Sequence, residues 1–158
     1  MDIERVIEQA HGILGIAGVP FTMNEDKTSF LVGFGSARLM LVFRNYNESV
    51  VVSVRAFVLE EVDVSGDREQ RIYERLNDLN GESFFGKLYL QEPGTVVLEY
   101  DLLGDELDAK ELLHAVSTIS GMADGLDDSL STEFGTGMRA EDVARRSQGQ
   151  GPGPVVPA

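Results

Sequence analysis

The sequence predicts an α+β domain with a largely antiparallel sheet, followed by a disordered C-terminal tail. Three observations predict this organisation. Apolar residues recur at helical spacing in three segments. Between these segments, five shorter ones have the alternation and β-branched content of strands, with turn signals such as Gly35-Ser36 and Pro93-Gly94. Beyond residue 134 the apolar pattern stops, and five glycines and three prolines follow in residues 135–158.

The first half of the chain predicts one helix and three strands. Residues 2–17 place their apolar side chains on one helical face, Asp2 suits the N-cap, and Gly18 with Pro20 ends the helix. Tight turns then separate three strand-like segments, which must pair antiparallel. These strands are expected at residues 28–34, 37–45 and 48–59.

The second half predicts a helix, two strands and a long helix. Asp67 with Gln70 resembles a capping box, and Asn80-Gly81 is expected to end the helix that carries residues 71–80. A second capping pattern, Asp108 with Glu111, begins the last helix, which runs to residue 130. The two strands are expected at residues 83–91 and 95–103. The result is a five- or six-stranded sheet in a domain of residues 1–134, with a flexible tail at 135–158.

Composition narrows the classes of partner. The chain of 158 residues has 27 acidic and 13 basic residues, a net charge of −14, which disfavours nucleic acid and anionic membrane surfaces. The acidity is compatible with basic or neutral protein partners, with cations, or with a role in solubility alone. The absence of cysteine excludes disulfides and thiolate chemistry. An acidic N-terminus with no following apolar run leads us to expect a cytoplasmic protein.

No motif for catalysis, a cofactor or a metal is recognisable. His11 and His114 have no metal-ligand spacing around them, and the acidic run at residues 124–133 does not match a calcium loop. There is no nucleophile elbow of the G-x-S-x-G kind. We therefore expect no enzyme, no cofactor and no metal, although paired carboxylates that meet only in space stay open. Weak divalent binding also stays open at a second acidic cluster, Glu60, Glu61, Asp63 and Asp67.

Phe84 and Phe85 are the candidate protein-binding residues. They fall at the start of a predicted strand, where adjacent side chains point to opposite faces of the sheet. Either both faces of the sheet are covered at this point, or one phenylalanine is exposed and contacts a protein partner.

Three stretches carry a family resemblance, together with the last helix and the order of the elements. They are LNDLN at 76–80, FGKLYL at 85–90 and VVLEYDLL at 96–103. They resemble the YbjN-like family, of the type III secretion (Tir) chaperone-like fold, and its actinobacterial members in particular. The resemblance covers about residues 1–134 and leaves the tail unmatched.

The resemblance implies an α+β protein that forms a homodimer and binds segments of other proteins. It supplies no catalytic residue. The leading hypothesis is a non-enzymatic, chaperone-like or regulatory protein-binding module. The alternative is a small-molecule or signal-sensing domain, which requires a closed apolar pocket between sheet and helices. An enzyme of unrecognised type is the third.

Overall fold

The structure, a computed structural model, describes residues 2–134 and the backbone of Met138–Arg139, and it has the predicted α+β architecture. The other positions of the predicted tail lie outside the described residues. The helices are α1 (Ile3–Ala17), α2 (Arg68–Glu82) and α3 (Ala109–Phe134). The strands are β1 (Phe21–Met23), β2 (Ser29–Phe34), β3 (Ala37–Tyr46), β4 (Ser49–Glu60), β5 (Lys87–Gln91), β6 (Thr95–Leu103) and β7 (Met138–Arg139).

The strands form one antiparallel sheet in the order β1-β2-β3-β4-β6-β5. The predicted order of elements is confirmed, with one addition before β2. Strand β1 has only three residues, too few for a visible alternation, and it pairs Phe21 with Val32. Strand β7, within the stretch predicted as tail, pairs with Leu59 and Glu60 at the end of β4.

All three helices pack on one face of the sheet. On that face the strands present fully buried apolar side chains, as in the pairs Leu41↔Val54 and Leu98↔Ala56. The alternate residues of the same strands form the opposite side, which we call the open face. It carries polar pairs such as Arg55↔Glu99. The sequence expectation of one covered and one partly wet face is confirmed.

The helix ends confirm two of the three predicted N-caps. The carboxylate of Asp2 accepts from the Glu4 N–H at 3.1 Å, and that of Asp108 accepts from the Glu111 N–H at 2.8 Å. The prediction at Asp67 is wrong, because its side chain makes no capping hydrogen bond. Its φ of −85° and ψ of −2° are helical rather than extended, whereas a capping residue needs extended backbone to aim its carboxylate at the helix.

The sequence predicts that Asn80 ends α2, and this prediction is wrong. Asn80 instead joins α2 to the edge of the sheet. The helix continues to Glu82 and ends at Ser83. The Asn80 amide donates to the Leu88 carbonyl at 2.9 Å and accepts from the Leu88 N–H at 2.7 Å. The side chain therefore pairs with β5 as a neighbouring strand would, and it occupies backbone groups that an edge strand otherwise leaves unpaired.

Asn80→Ala is expected to destabilise the fold by about 1–3 kcal/mol, because it leaves two partly buried backbone groups of Leu88 without partners. Urea denaturation measures the change. The matched control is Asn77→Ala, an exposed residue one turn earlier on α2. Equal effects of the two substitutions would show that the hydrogen bonds to Leu88 contribute little.

Candidate protein-binding surface

The two phenylalanines lie in the loop between α2 and β5. The predicted strand at 83–91 begins only at Lys87, so the argument from strand alternation was wrong at these residues. Phe84 is nonetheless 96% exposed, whereas Phe85 is 45% exposed. The Phe85 ring stacks on Tyr100, with 5.7 Å between ring centroids, and meets the edge of His114 at 5.3 Å. Phe85 thus anchors the loop and Phe84 projects from it.

Gly86 fixes the position of this loop. Its φ of +77° favours glycine. An added Cβ would lie 3.2 Å from Cδ1 of Ile119 and 3.3 Å from Cδ1 of Leu98, so the loop backbone sits directly on the core. The Ser83 hydroxyl also donates to the Phe85 carbonyl. Phe84 is therefore an exposed ring on a well-supported backbone.

An apolar groove adjoins this loop. It lies between α2, β5 and α3, has a volume of about 290 Å³, and is lined mainly by apolar side chains. Gly121 and Gly125 on α3 widen it, since an added Cβ at either would meet nothing within 4 Å. Its lining residues are Leu79, Glu82, Ser83, Leu88, Gly121, Met122, Gly125 and Leu126.

The open face carries a group of charged and polar residues that sequence reasoning missed. We call it the open-face cluster. At its centre Glu99 is only 3% exposed; it forms an ion pair with Arg55 and lies 3.0 Å from the Lys87 ammonium. The Tyr89 hydroxyl donates to the same carboxylate at 3.1 Å. The cluster consists of Arg44, Ser53, Arg55, Lys87, Tyr89, Glu99 and Asp101.

Hydrogen bonds within the cluster shift the pKa values of Asp101 and Lys87 so that both stay charged at neutral pH. Partial burial alone raises the pKa of Asp101, but hydrogen bonds from Lys87 and Ser53 outweigh it and leave the pKa below its usual value. Hydrogen bonds to Asp101 and Glu99 raise the pKa of Lys87. Burial and then the Glu99 charge raise the pKa of the Tyr89 hydroxyl, which therefore stays protonated and able to donate.

A cavity of about 420 Å³ opens beside the cluster, at the end of the β3–β4 hairpin. The Arg44 guanidinium reaches the Ser53 hydroxyl at 2.8 Å from one side of this cavity. Tyr46 and Val51 give it apolar surface. Its lining residues are Arg44, Asn45, Tyr46, Val51 and Asp101.

Both histidines pack against aromatic rings. The ring centroid of His11 lies 4.9 Å from that of Phe21, and His114 contacts Phe85. Over the part of the chain that the structure describes, no group of three or more histidine, aspartate or glutamate residues could hold a metal ion. Within the same residues, no helix is long and apolar enough to cross a membrane.

The comparison with protein families decides the relationship. The family model for the T3SS (YopN, CesT) and YbjN peptide-binding chaperone 1 matches residues 8–142. The chain belongs to this family.

Among solved structures, this chain is similar to the crystal structure of YbjN, a putative transcription regulator from E. coli. The two are 11% identical with a TM-score of 0.56, and the match covers 84% of this chain and 95% of the other. At that identity the likeness shows the fold alone. No curated protein matches the chain. The predicted YbjN-like relationship is thus confirmed, whereas protein binding by Phe84 and Phe85 stays a prediction.

The charged state of Asp101 makes a pH dependence testable. Because its folded pKa is lowered, the stabilisation from its charge is present above the ordinary aspartate pKa of about 4 and is lost as the pH falls through the folded value. We expect Asp101→Asn to destabilise the protein at pH 7 by about 1 kcal/mol or less, since the residue is partly exposed. The difference from the unsubstituted protein should shrink towards pH 3, as measured by urea denaturation.

The control for this experiment is Asp78→Asn, a change of the same type at an exposed position of α2. A difference between Asp101→Asn and the unsubstituted protein that stays constant from pH 7 to pH 3 would contradict the assignment.

Proposed function

We propose that this protein is a non-enzymatic, peptide-binding chaperone that acts as a homodimer in the cytoplasm. The observation that carries the proposal is the family match over residues 8–142, since the family is one of peptide-binding chaperones. The homodimer and the cytoplasmic location rest on the family resemblance. The assignment to actinobacterial members rests on the resemblance alone.

The loop at Phe84 and the adjoining groove are the proposed peptide-binding surface. An exposed phenylalanine can recover about 1.5–3 kcal/mol when a partner covers it, and the groove offers apolar surface beside it. Aromatic residues on a rigid support are typical of binding hot spots. The groove accommodates a bulky apolar side chain of a client, while Phe84 packs against the client's backbone or a neighbouring side chain.

The same surface is also suited to a two-fold dimer, in which a second copy and a client would compete for it. In such a dimer each copy presents the same patch to the other. A side chain that projects from one copy then enters the groove of its partner, and the two-fold axis repeats this contact. Phe84 is such a projecting side chain, and the groove lies beside it. The alternative, a sensing domain with a closed pocket between sheet and helices, stays a prediction. The space between the two layers holds fully buried side chains such as Phe30, Leu98 and Ile119, which does not favour it.

Phe84→Ser is expected to weaken capture of peptides at least fivefold, because a side chain that contributes 1 kcal/mol or more to binding is removed, at about 1.4 kcal/mol per tenfold. Binding is measured on an immobilised peptide array. The matched control is Ile16→Ser on α1, because the Ile16 side chain is 93% exposed and is thus about as accessible as that of Phe84. An equal loss for both variants would mean that capture reflects general surface hydrophobicity.

The homodimer is tested by light scattering of the full chain across a range of concentrations. We expect the mass of two chains, and a shift towards the single chain for Phe84→Ser if the groove forms the interface. A strictly monomeric protein that also retains no peptide would contradict both parts of the proposed function. A dimer unaffected by Phe84→Ser would place the interface elsewhere and leave the groove to clients.

A further inference from the structure

We propose that the open face of the sheet is a second binding surface, and that it takes an extended acidic segment whose carboxylate meets Arg44 and whose apolar side chain enters the adjacent cavity. The inference rests on the proposed peptide-binding function and specifies the chemistry of the peptide. It runs against the expectation from net charge, by which an acidic chain attracts basic partners.

The charge of the open-face cluster is opposite to that of the whole chain. The chain has a net charge of −14, but the cluster contains three cations, Arg44, Arg55 and Lys87, and only two anions, Glu99 and Asp101. An acidic segment would be repelled by most of the surface and attracted at this place. Electrostatic complementarity of this kind selects partners and orients them.

Two cations, Arg44 and Lys87, are the most exposed charged groups of the cluster, ahead of Asp101 at 36% and Arg55 at 21%. The side chains of Arg44 and Lys87 are 49% and 55% exposed, whereas Glu99 is 3% exposed and lies beneath them. Lys87 already contacts both carboxylates, at 3.0 and 2.7 Å. Arg44 lies farther from them, at 3.9 and 4.0 Å, and its close contact is the neutral Ser53 hydroxyl. Arg44 is therefore the cation best placed to receive a new carboxylate.

Apolar surface surrounds this cation. Leu103 is 65% exposed and pairs with Val51 across β6 and β4, next to the cavity that Arg44 and Tyr46 line. In an extended peptide every second side chain faces the same way. A carboxylate at one position can then reach Arg44 while an apolar side chain two positions away reaches the cavity.

A second copy of the chain is a weaker occupant. Two open faces placed together would bring together two clusters that each have more cations than anions. An acidic, partly apolar client segment satisfies both the charge and the apolar surface.

The test uses the full chain and two single-cysteine reporters, because the chain has no cysteine of its own. Leu103→Cys carries an environment-sensitive dye on the open face. Gly125→Cys carries the same dye in the groove, where an added Cβ meets nothing within 4 Å. Each is titrated with three short peptides that share their apolar residues and differ only in glutamate, lysine or serine at the same positions.

The expected result is that the glutamate peptide changes the Leu103→Cys signal and binds about tenfold more tightly than the lysine peptide, a difference of about 1.4 kcal/mol. Arg44→Gln should reduce that affinity about fivefold to tenfold and leave the serine peptide unchanged. Arg71→Gln is the matched control, since it removes the same charge from α2. The peptide comparison needs no Arg44 variant and stands even if Arg44→Gln fails to fold.

Several outcomes overturn the inference while leaving peptide binding intact. They are a lysine peptide that binds as tightly as the glutamate peptide, a response only at Gly125→Cys, and an equal effect of Arg71→Gln and Arg44→Gln. A Leu103→Cys signal that depends on protein concentration without peptide would identify a second copy as the occupant. If no peptide changes either reporter, the inference fails, and loss of array capture as well would remove the proposed function.

Discussion

The placement of all helices on one face of the sheet is the constraint on which the rest of the structure depends. Within the described residues, side chains of the strands themselves cover the opposite face, and the buried carboxylate of Glu99 lies at the centre of them. Removing one partner of a buried ion pair typically costs about 3–5 kcal/mol, because a charge is left uncompensated. Here Arg55, Lys87 and Tyr89 surround the carboxylate, and their long side chains shield the strands beneath them.

The sequence predicted the fold where local signals and packing agree. Helices α1 and α3 have apolar stripes with capping aspartates at Asp2 and Asp108, and both caps form. The prediction from sequence failed where a side chain bonds to a residue in another element. Asn80 is of a residue type that often ends helices, but its side-chain amide hydrogen-bonds to Leu88, eight residues later, and the helix continues to Glu82. Strand β1 was missed because three residues show no alternation.

The candidate surfaces were predictable to different degrees. Phe84 and Phe85 could be singled out because adjacent aromatics are visible in the sequence, although the loop that displays Phe84 was not. The open-face cluster depends on the pairing Arg55↔Glu99 between strands that are not consecutive. Polar residues on alternate positions, Ser53 with Arg55 and Glu99 with Asp101, are the signal that could have indicated it. Only the register shows that the two sets face each other.

The acidity of the chain and its exposed apolar side chains belong together. A protein that displays Phe84 and Leu103 to solvent promotes its own association, and a net charge of −14 opposes that association by mutual repulsion. The same charge would exclude acidic clients if it were spread evenly. On the open face, three cations gather around the carboxylates of Glu99 and Asp101, so this cluster has one more cation than anions although the chain is strongly acidic. The register of the sheet, which pairs Arg55 with Glu99, therefore determines the local charge of this face, and the net charge of the chain does not reveal it.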